Sequence, residues 1–85
     1  MNRDEVERKV IELAAKQVGV DPATVFPATH FVNDLAFDSL DRVDFAMSLE
    51  DAWDLSISDD DAEADLATVE QVVEFVMRQL ETKVG

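Results

Sequence analysis

Cysteine is absent from this chain of 85 residues, histidine occurs once, and glycine occurs only at Gly19 and Gly85. Without cysteine the chain can form no disulfide, and a single histidine cannot build a zinc site. Two distant glycines cannot form a glycine-rich phosphate-binding loop. No apolar run is long enough to span a bilayer, so we expect no membrane insertion. A small domain of this kind depends on its apolar core for stability.

Positive charge is also scarce, since 7 lysines and arginines stand against 20 aspartates and glutamates, for a net charge of −13. Within residues 34–65 only Arg42 is basic. Such a surface repels the phosphates of nucleic acid and favours basic protein partners. The simpler alternative is a solvated acidic surface that keeps a small protein in solution.

The first residues lack the apolar stretch of a signal peptide, so we expect a cytoplasmic protein. The length fits a single domain over residues 1–85. The apolar fraction of 47% is ordinary for a globular fold, and we expect a monomer.

Apolar residues recur at helical spacing along most of the chain, which predicts an all-α fold. We expect a small four-helix bundle: three longer helices plus one short helix III, with a long ordered loop between helices I and II. The predicted ranges are 3–18 for helix I, 39–54 for helix II, about 59–65 for helix III and about 68–82 for helix IV. Asn2 and Gly19 flank helix I as cap residues, and Thr68 opens a capping box at helix IV.

The connection between helices I and II contains too many apolar residues for a free linker. Unstructured loops of this length are uncommon in compact domains. We therefore expect residues 20–38 to pack over the bundle, with a single turn at 22–25. His30 lies in this connection, but no evident partner makes it a catalytic base.

Helix II carries apolar residues on two faces. The arc predicted to face the core contains Phe45, Ala46, Leu49, Ala52 and Trp53. The second stripe contains Leu40, Val43 and Met47, with Asp41, Asp44, Glu50, Asp51 and Asp54 around it. An apolar strip rimmed by carboxylates is typical of a partner-binding surface. The alternative, which periodicity does not exclude, is a central helix buried on both sides.

Ser39 lies between Asp38 and Leu40 at the predicted start of helix II. Asp38 or Ser39 can cap the helix, and the positive end of the helix dipole favours a phosphate beside the serine hydroxyl. The position does not suit a serine protease, which needs a histidine base and an orienting acid. An isolated Asp-Ser-Leu is more often only a helix cap.

The acidic run at residues 59–65 suggests calcium binding. An EF-hand loop that begins at Asp59 needs glycine at its sixth position, where this chain has Ala64. We therefore predict no metal site, although loose binding of divalent ions by clustered carboxylates remains an alternative.

The longer context of Ser39 resembles an acyl carrier protein. The resemblance is carried by Phe31-Val32-Asn33-Asp34-Leu35-Ala36-Phe37-Asp38-Ser39-Leu40-Asp41, by Val43-Asp44, by Ser48-Leu49-Glu50-Asp51-Ala52-Trp53, by Ile57-Ser58-Asp59-Asp60-Asp61-Ala62 and by Thr68-Val69. It covers nearly the whole chain and outweighs the interpretation of Ser39 as part of a simple helix cap.

The resemblance implies a carrier rather than an enzyme. A phosphopantetheinyl transferase would attach 4′-phosphopantetheine from coenzyme A to Ser39, with Asp38 and Leu40 as its immediate context. The thiol of that arm would hold acyl groups as thioesters for fatty-acid or related biosynthetic enzymes, and an apolar cavity among the helices would shelter the acyl chain. Helix II would be the recognition helix for basic-surfaced synthases, reductases and acyltransferases. Its partner-binding residues would be Asp41, Val43, Asp44, Met47, Glu50 and Asp51.

Three residues depart from the family pattern. Ala36 stands where glycine is common, Arg42 adds a positive charge to the recognition helix, and Trp53 replaces a more usual phenylalanine. These departures leave open a specialised carrier for polyketide or aminoacyl intermediates. An acidic interaction module without a prosthetic group is the alternative from another class.

Overall fold

The computed structural model describes residues 2–57 and 67–84, and over these ranges the fold is all-helical. The three α-helices are α1 (Arg3–Val18), α2 (Ser39–Trp53) and α3 (Val69–Val84), and a 3-10 turn covers Pro22–Thr24. The described ranges contain no β-strand, only an antiparallel bridge between His30 and Thr68. The short helix predicted at 59–65, together with the acidic run, lies outside the described residues.

The ends of α1 follow from its cap residues. The Asn2 side chain accepts the backbone N–H of Glu5 at 2.9 Å, which satisfies one free donor of the first turn. Gly19 ends the helix at φ 72°, a left-handed conformation that glycine adopts without a steric cost, and its N–H donates to the Ala15 carbonyl. The predicted range 3–18 is confirmed.

The other two helices differ slightly from prediction. α2 ends at Trp53, one residue early, because Asp54 turns into the left-handed region at φ 52°. α3 begins after Thr68, whose Oγ accepts the Gln71 N–H at 3.4 Å while Gln71 Oε1 accepts the Thr68 N–H at 3.1 Å. The predicted capping box is thus present, and the helix extends to Val84 rather than residue 82.

The core lies where α1 packs against both α2 and α3. Its fully buried side chains on α1 and α3 include Val6, Val10, Val69, Val73 and Val76. On α2 the buried side chains are Phe45, Leu49 and Trp53, spaced four residues apart along one line of the helix. The arc predicted from periodicity was therefore too wide, since Ala46 is half-buried and Ala52 is exposed.

The connection between α1 and α2 packs on the bundle as predicted, since Val25, Phe31 and Phe37 are buried. Its one 3-10 turn covers Pro22–Thr24, one residue shorter than the predicted 22–25. It also caps α3, because the Val69 N–H donates to the Thr29 carbonyl and the Glu70 N–H to the Pro27 carbonyl. The first N–H groups of a helix have no partner inside the helix, so these loop carbonyls satisfy donors that would otherwise need water. The connection and α3 therefore stabilise each other.

Three phenylalanine rings fix the end of this connection to α2. The ring centroid of Phe31 lies 5.2 Å from that of Phe37 and 5.3 Å from that of Phe45, and Phe37 meets Phe45 edge-on at 5.6 Å. Tilted and edge-on pairs at these separations are favourable beyond their buried area. The packing of these rings therefore fixes the position of Phe37, two residues before α2 begins.

His30 orders the turn between the first two of these rings. The ring Nδ1 of His30 accepts the backbone N–H groups of Val32 and Asn33 at 3.2 and 3.0 Å. The backbone N–H of His30 donates to Asp34 Oδ2 at 2.7 Å. The ring therefore acts as a local acceptor for backbone donors in the turn.

Ala36 provides a test of backbone strain in this segment. Its φ of 57° lies in the left-handed region, where a Cβ atom is crowded by the neighbouring carbonyl. We expect Ala36→Gly to raise the free energy of unfolding by about 0.5–1 kcal/mol, the relief of strain less the extra flexibility of glycine in the unfolded chain. Denaturant unfolding measures the change.

Ala28→Gly is the matched control, because Ala28 is exposed in the same connection and has no positive φ. It should leave stability unchanged or lower it. Equal effects of the two substitutions would show that Ala36 is not strained.

Candidate functional site

Ser39 is the first residue of α2, and its side chain is exposed. Asp38, not Ser39, is the N-cap: Asp38 Oδ1 accepts the Asp41 N–H at 2.8 Å, and Asp41 Oδ2 accepts the Asp38 N–H at 3.2 Å. This reciprocal pair is a capping box with aspartate at both ends. Because the helix takes its cap from Asp38, the serine hydroxyl is not required for this capping.

The surroundings of Ser39 fit a covalently attached phosphodiester. The residue projects from the N-terminus of a 15-residue helix, where the macrodipole favours negative charge. Its neighbours Asp38 and Leu40 are also exposed. A modifying enzyme could therefore reach the serine from solvent, and a long prosthetic arm would have room to extend. The structure thus places the predicted attachment residue and its two neighbours together at one exposed end of α2.

Asp41 has a second role besides capping. Its Oδ1 accepts a hydrogen bond from Gln17 Nε2 at 3.1 Å, which joins the last turn of α1 to the first turn of α2. The Gln17 bond, followed by the backbone N–H of Asp38, holds the pKa of the Asp41 carboxyl below its ordinary value. Gln17 was not predicted as a site residue, because its contact depends on how two helices pack and no local pattern marks it.

The second apolar stripe of α2 faces solvent. Leu40, Val43 and Met47 are 68%, 53% and 54% exposed. Asp44 and Asp51 are exposed on the same helix. An apolar strip with flanking carboxylates is therefore accessible at the surface, next to Ser39, as the docking interpretation requires and as burial on both sides would not allow.

Glu50, like Asp41, is less accessible than Asp44 and Asp51. It is half-buried, and its Oε2 accepts the Ile57 N–H at 3.0 Å. Glu50 therefore holds the segment that follows α2, much as Asp41 holds the segment before it. Of the four acids predicted to bind partners, Asp44 and Asp51 are exposed, whereas the other two accept hydrogen bonds within the chain.

An apolar cavity of about 40 Å³ lies behind this face of α2. It is lined by Phe31, Phe37, Arg42, Phe45, Ala46, Leu49, Ile57, Val72 and Phe75. Arg42 is the one charged residue among the described residues of this lining. The other lining residues are apolar, which is compatible with the acyl-chain cavity that the resemblance implies.

Among the described residues, no group of three or more histidine, cysteine, aspartate or glutamate side chains is arranged to hold a metal ion. None of the helices described here combines the length and the apolar character needed to cross a membrane.

Comparison with known proteins identifies the family. Residues 8–76 match the family described as "Phosphopantetheine attachment site". An acyl carrier protein of Rubrobacter xylanophilus is 42% identical over 77 residues, which are 91% of this chain and 94% of the relative. Acyl carrier proteins of Cyanidium caldarium and Guillardia theta are 35% identical over 83 residues and 38% identical over 80 residues. These alignments cover 98% and 94% of this chain, and 95% and 98% of the two relatives.

The resemblance predicted from the residues around Ser39 is thus confirmed over nearly the whole chain. Members of the family carry acyl groups on a phosphopantetheine arm for other enzymes and are not enzymes themselves. The family match spans residues 8–76, and the three relatives are 35–42% identical over at least 91% of this chain. This chain therefore belongs to the acyl carrier protein family.

Proposed function

We propose that Ser39 is the residue to which 4′-phosphopantetheine is attached, and that α2 is the surface on which partner enzymes dock. The observation that carries the proposal is the exposure of Ser39 at the start of α2, next to the solvent-facing stripe of Leu40, Val43 and Met47. The family match includes this region. Asp38 is the N-cap of α2, so the Ser39 side chain is not needed as a helix cap.

The attachment is a transfer from coenzyme A. The serine oxygen forms a new bond to phosphorus, the pyrophosphate bond of coenzyme A breaks, and the nucleotide part of coenzyme A leaves. The hydroxyl proton passes to a base that the transferase supplies. The attached arm supplies a thiol, which holds acyl groups as thioesters.

The docking face has an apolar centre and acidic flanks. Partner enzymes with basic surfaces, including the transferase, synthases, reductases and acyltransferases, complement the carboxylates of Asp44 and Asp51. Long-range attraction raises the rate of encounter, while Leu40, Val43 and Met47 supply the apolar contact area. This division of roles suits a carrier that must bind many enzymes briefly.

We assign the acyl cargo to fatty-acid biosynthesis, in keeping with the relatives named acyl carrier protein. The proposal also includes a single domain over residues 1–85, a monomeric state, a short fourth helix at residues 59–65 and a cytoplasmic location. The single continuous core and the packing of α1 against both other helices support the single domain.

Ser39→Ala tests the attachment site. The variant should keep its helical circular dichroism, because Asp38 and Asp41 form the cap, and it should gain no mass when incubated with coenzyme A and a broad phosphopantetheinyl transferase. Intact mass spectrometry measures the gain.

Ser56→Ala is the matched control, since Ser56 is also an exposed serine. It should be modified as fully as the unsubstituted protein. A mass gain that persists in Ser39→Ala would rule out the assignment. If the unsubstituted protein also gains no mass, the result favours the acidic interaction module.

Asp44→Lys tests the docking face. Reversal of one exposed charge should lower kcat/KM for the transferase by about tenfold at low ionic strength, with the loss shrinking as salt screens the charges. Steady-state kinetics at two salt concentrations measure both effects.

Glu81→Lys is the control for net charge, because Glu81 is exposed on α3 and the substitution changes the total charge equally. Its effect should be much smaller. If both substitutions slow the transferase alike, attraction depends on the whole protein and α2 is not a distinct docking face.

A further inference from the structure

We propose that Gln17 is a positioning residue for the modification of Ser39. It acts through Asp41 on the peptide that precedes the serine. The inference rests on the proposed attachment at Ser39 and adds a residue of α1 to a site that otherwise lies wholly on α2 and its N-cap.

A continuous series of hydrogen bonds joins Gln17 to this peptide. Gln17 Nε2 donates to Asp41 Oδ1 at 3.1 Å, and the other carboxylate oxygen, Oδ2, accepts the Asp38 N–H at 3.2 Å. The Asp41 N–H in turn donates to Asp38 Oδ1 at 2.8 Å. Asp38 is therefore held at both its N–H and its side chain, and Ser39 is the next residue.

The Gln17 bond restricts the rotation of the Asp41 carboxylate, which the capping box holds at only one oxygen. A carboxylate that accepts one bond can rotate about its side-chain torsions, whereas one held at both oxygens has a single orientation. Asp41 Oδ2 accepts the Asp38 N–H, which belongs to the Phe37–Asp38 peptide, so this carboxylate holds the backbone one residue before Ser39. Reactions gain rate when the attacking atom is held in the reactive geometry.

This geometry also changes the role of Asp41. Both of its oxygens are engaged within the chain and the residue is half-buried, whereas Asp44 and Asp51 are exposed. The lowered pKa of the Asp41 carboxyl, due first to Gln17, fits a carboxylate held by donors. The structure therefore favours an organising role for Asp41 over direct docking to a basic partner.

The two roles predict different kinetics. A docking carboxylate acts mainly on encounter, so its loss raises KM for the carrier and is weakened by salt. A positioning bond acts on the geometry of the bound serine, so its loss lowers kcat and is insensitive to salt. Salt dependence and the split between kcat and KM therefore distinguish them.

The test uses Gln17→Met, which keeps the length and charge of the side chain and removes its donor. With coenzyme A and a phosphopantetheinyl transferase, we expect kcat to fall by about fivefold, the loss typical of one hydrogen bond, with KM for the carrier nearly unchanged. The melting temperature should fall by no more than about 4–8 °C, which leaves the variant folded at the temperature of the assay. The deficit should be the same at low and high salt. Gln79→Met, the same substitution at a half-buried glutamine of α3, is the matched control and should react as the unsubstituted protein does.

A double-substitution cycle shows whether Gln17 acts through Asp41. In an Asp41→Ala background, Gln17→Met should cause no further loss, because the partner of the bond is already absent. A titration of the carboxyl resonances provides a readout independent of the transferase: the pKa of Asp41 should rise toward the ordinary aspartate value in Gln17→Met. Any stability that this carboxylate contributes is present above the ordinary pKa and is lost as pH falls through the lowered one.

The outcomes separate the two proposals. If unsubstituted Ser39 accepts no phosphopantetheine, both the proposed function and this inference fail. If Ser39 is modified but Gln17→Met reacts with unchanged kcat, only the role of Gln17 is overturned. A loss of equal size in the Asp41→Ala background, or a loss in KM that fades with salt, would also overturn it.

Discussion

Three aromatic rings, Phe31, Phe37 and Phe45, form the contact on which the placement of Ser39 depends. Two of them belong to the connection after α1 and one to α2, so their packing brings the end of an irregular segment onto a helix. Buried aromatic side chains combine a large apolar area with preferred geometry. This packing fixes the position of Phe37, so α2 begins two residues later at an exposed position. Most of the connection has no regular structure of its own.

The same connection stabilises the end of the bundle formed by α3. Its carbonyl groups at Pro27 and Thr29 accept N–H groups from the first turn of α3, and His30 orders the turn that follows. A long loop is normally costly in conformational entropy, and here backbone hydrogen bonds and buried side chains offset that cost. The proposed docking residues of α2 are thus supported by a well-packed connection, while one side of α2 remains open to solvent.

The two sides of α2 serve different purposes. Phe45, Leu49 and Trp53 fill the core, whereas Leu40, Val43 and Met47 remain exposed to solvent. The proposed docking of partner enzymes on α2 accounts for this exposure of apolar side chains. The acids divide in the same way, because Asp41 and Glu50 organise the two ends of the helix and Asp44 and Asp51 face solvent.

The sequence by itself determined the three described helices, the caps of α1 and α3 and the proposed attachment residue, because these depend on neighbours within a few positions of the chain. The range of α1, the capping box at Thr68 and the exposed start of α2 at Ser39 all follow from local residues. Only the tertiary structure decided the narrow buried line of α2, which leaves Ala52 exposed, and the bond between Gln17 and Asp41. Both depend on the distance and angle at which α1 and α2 pack, and residues 24 positions apart carry no periodic signal of their contact.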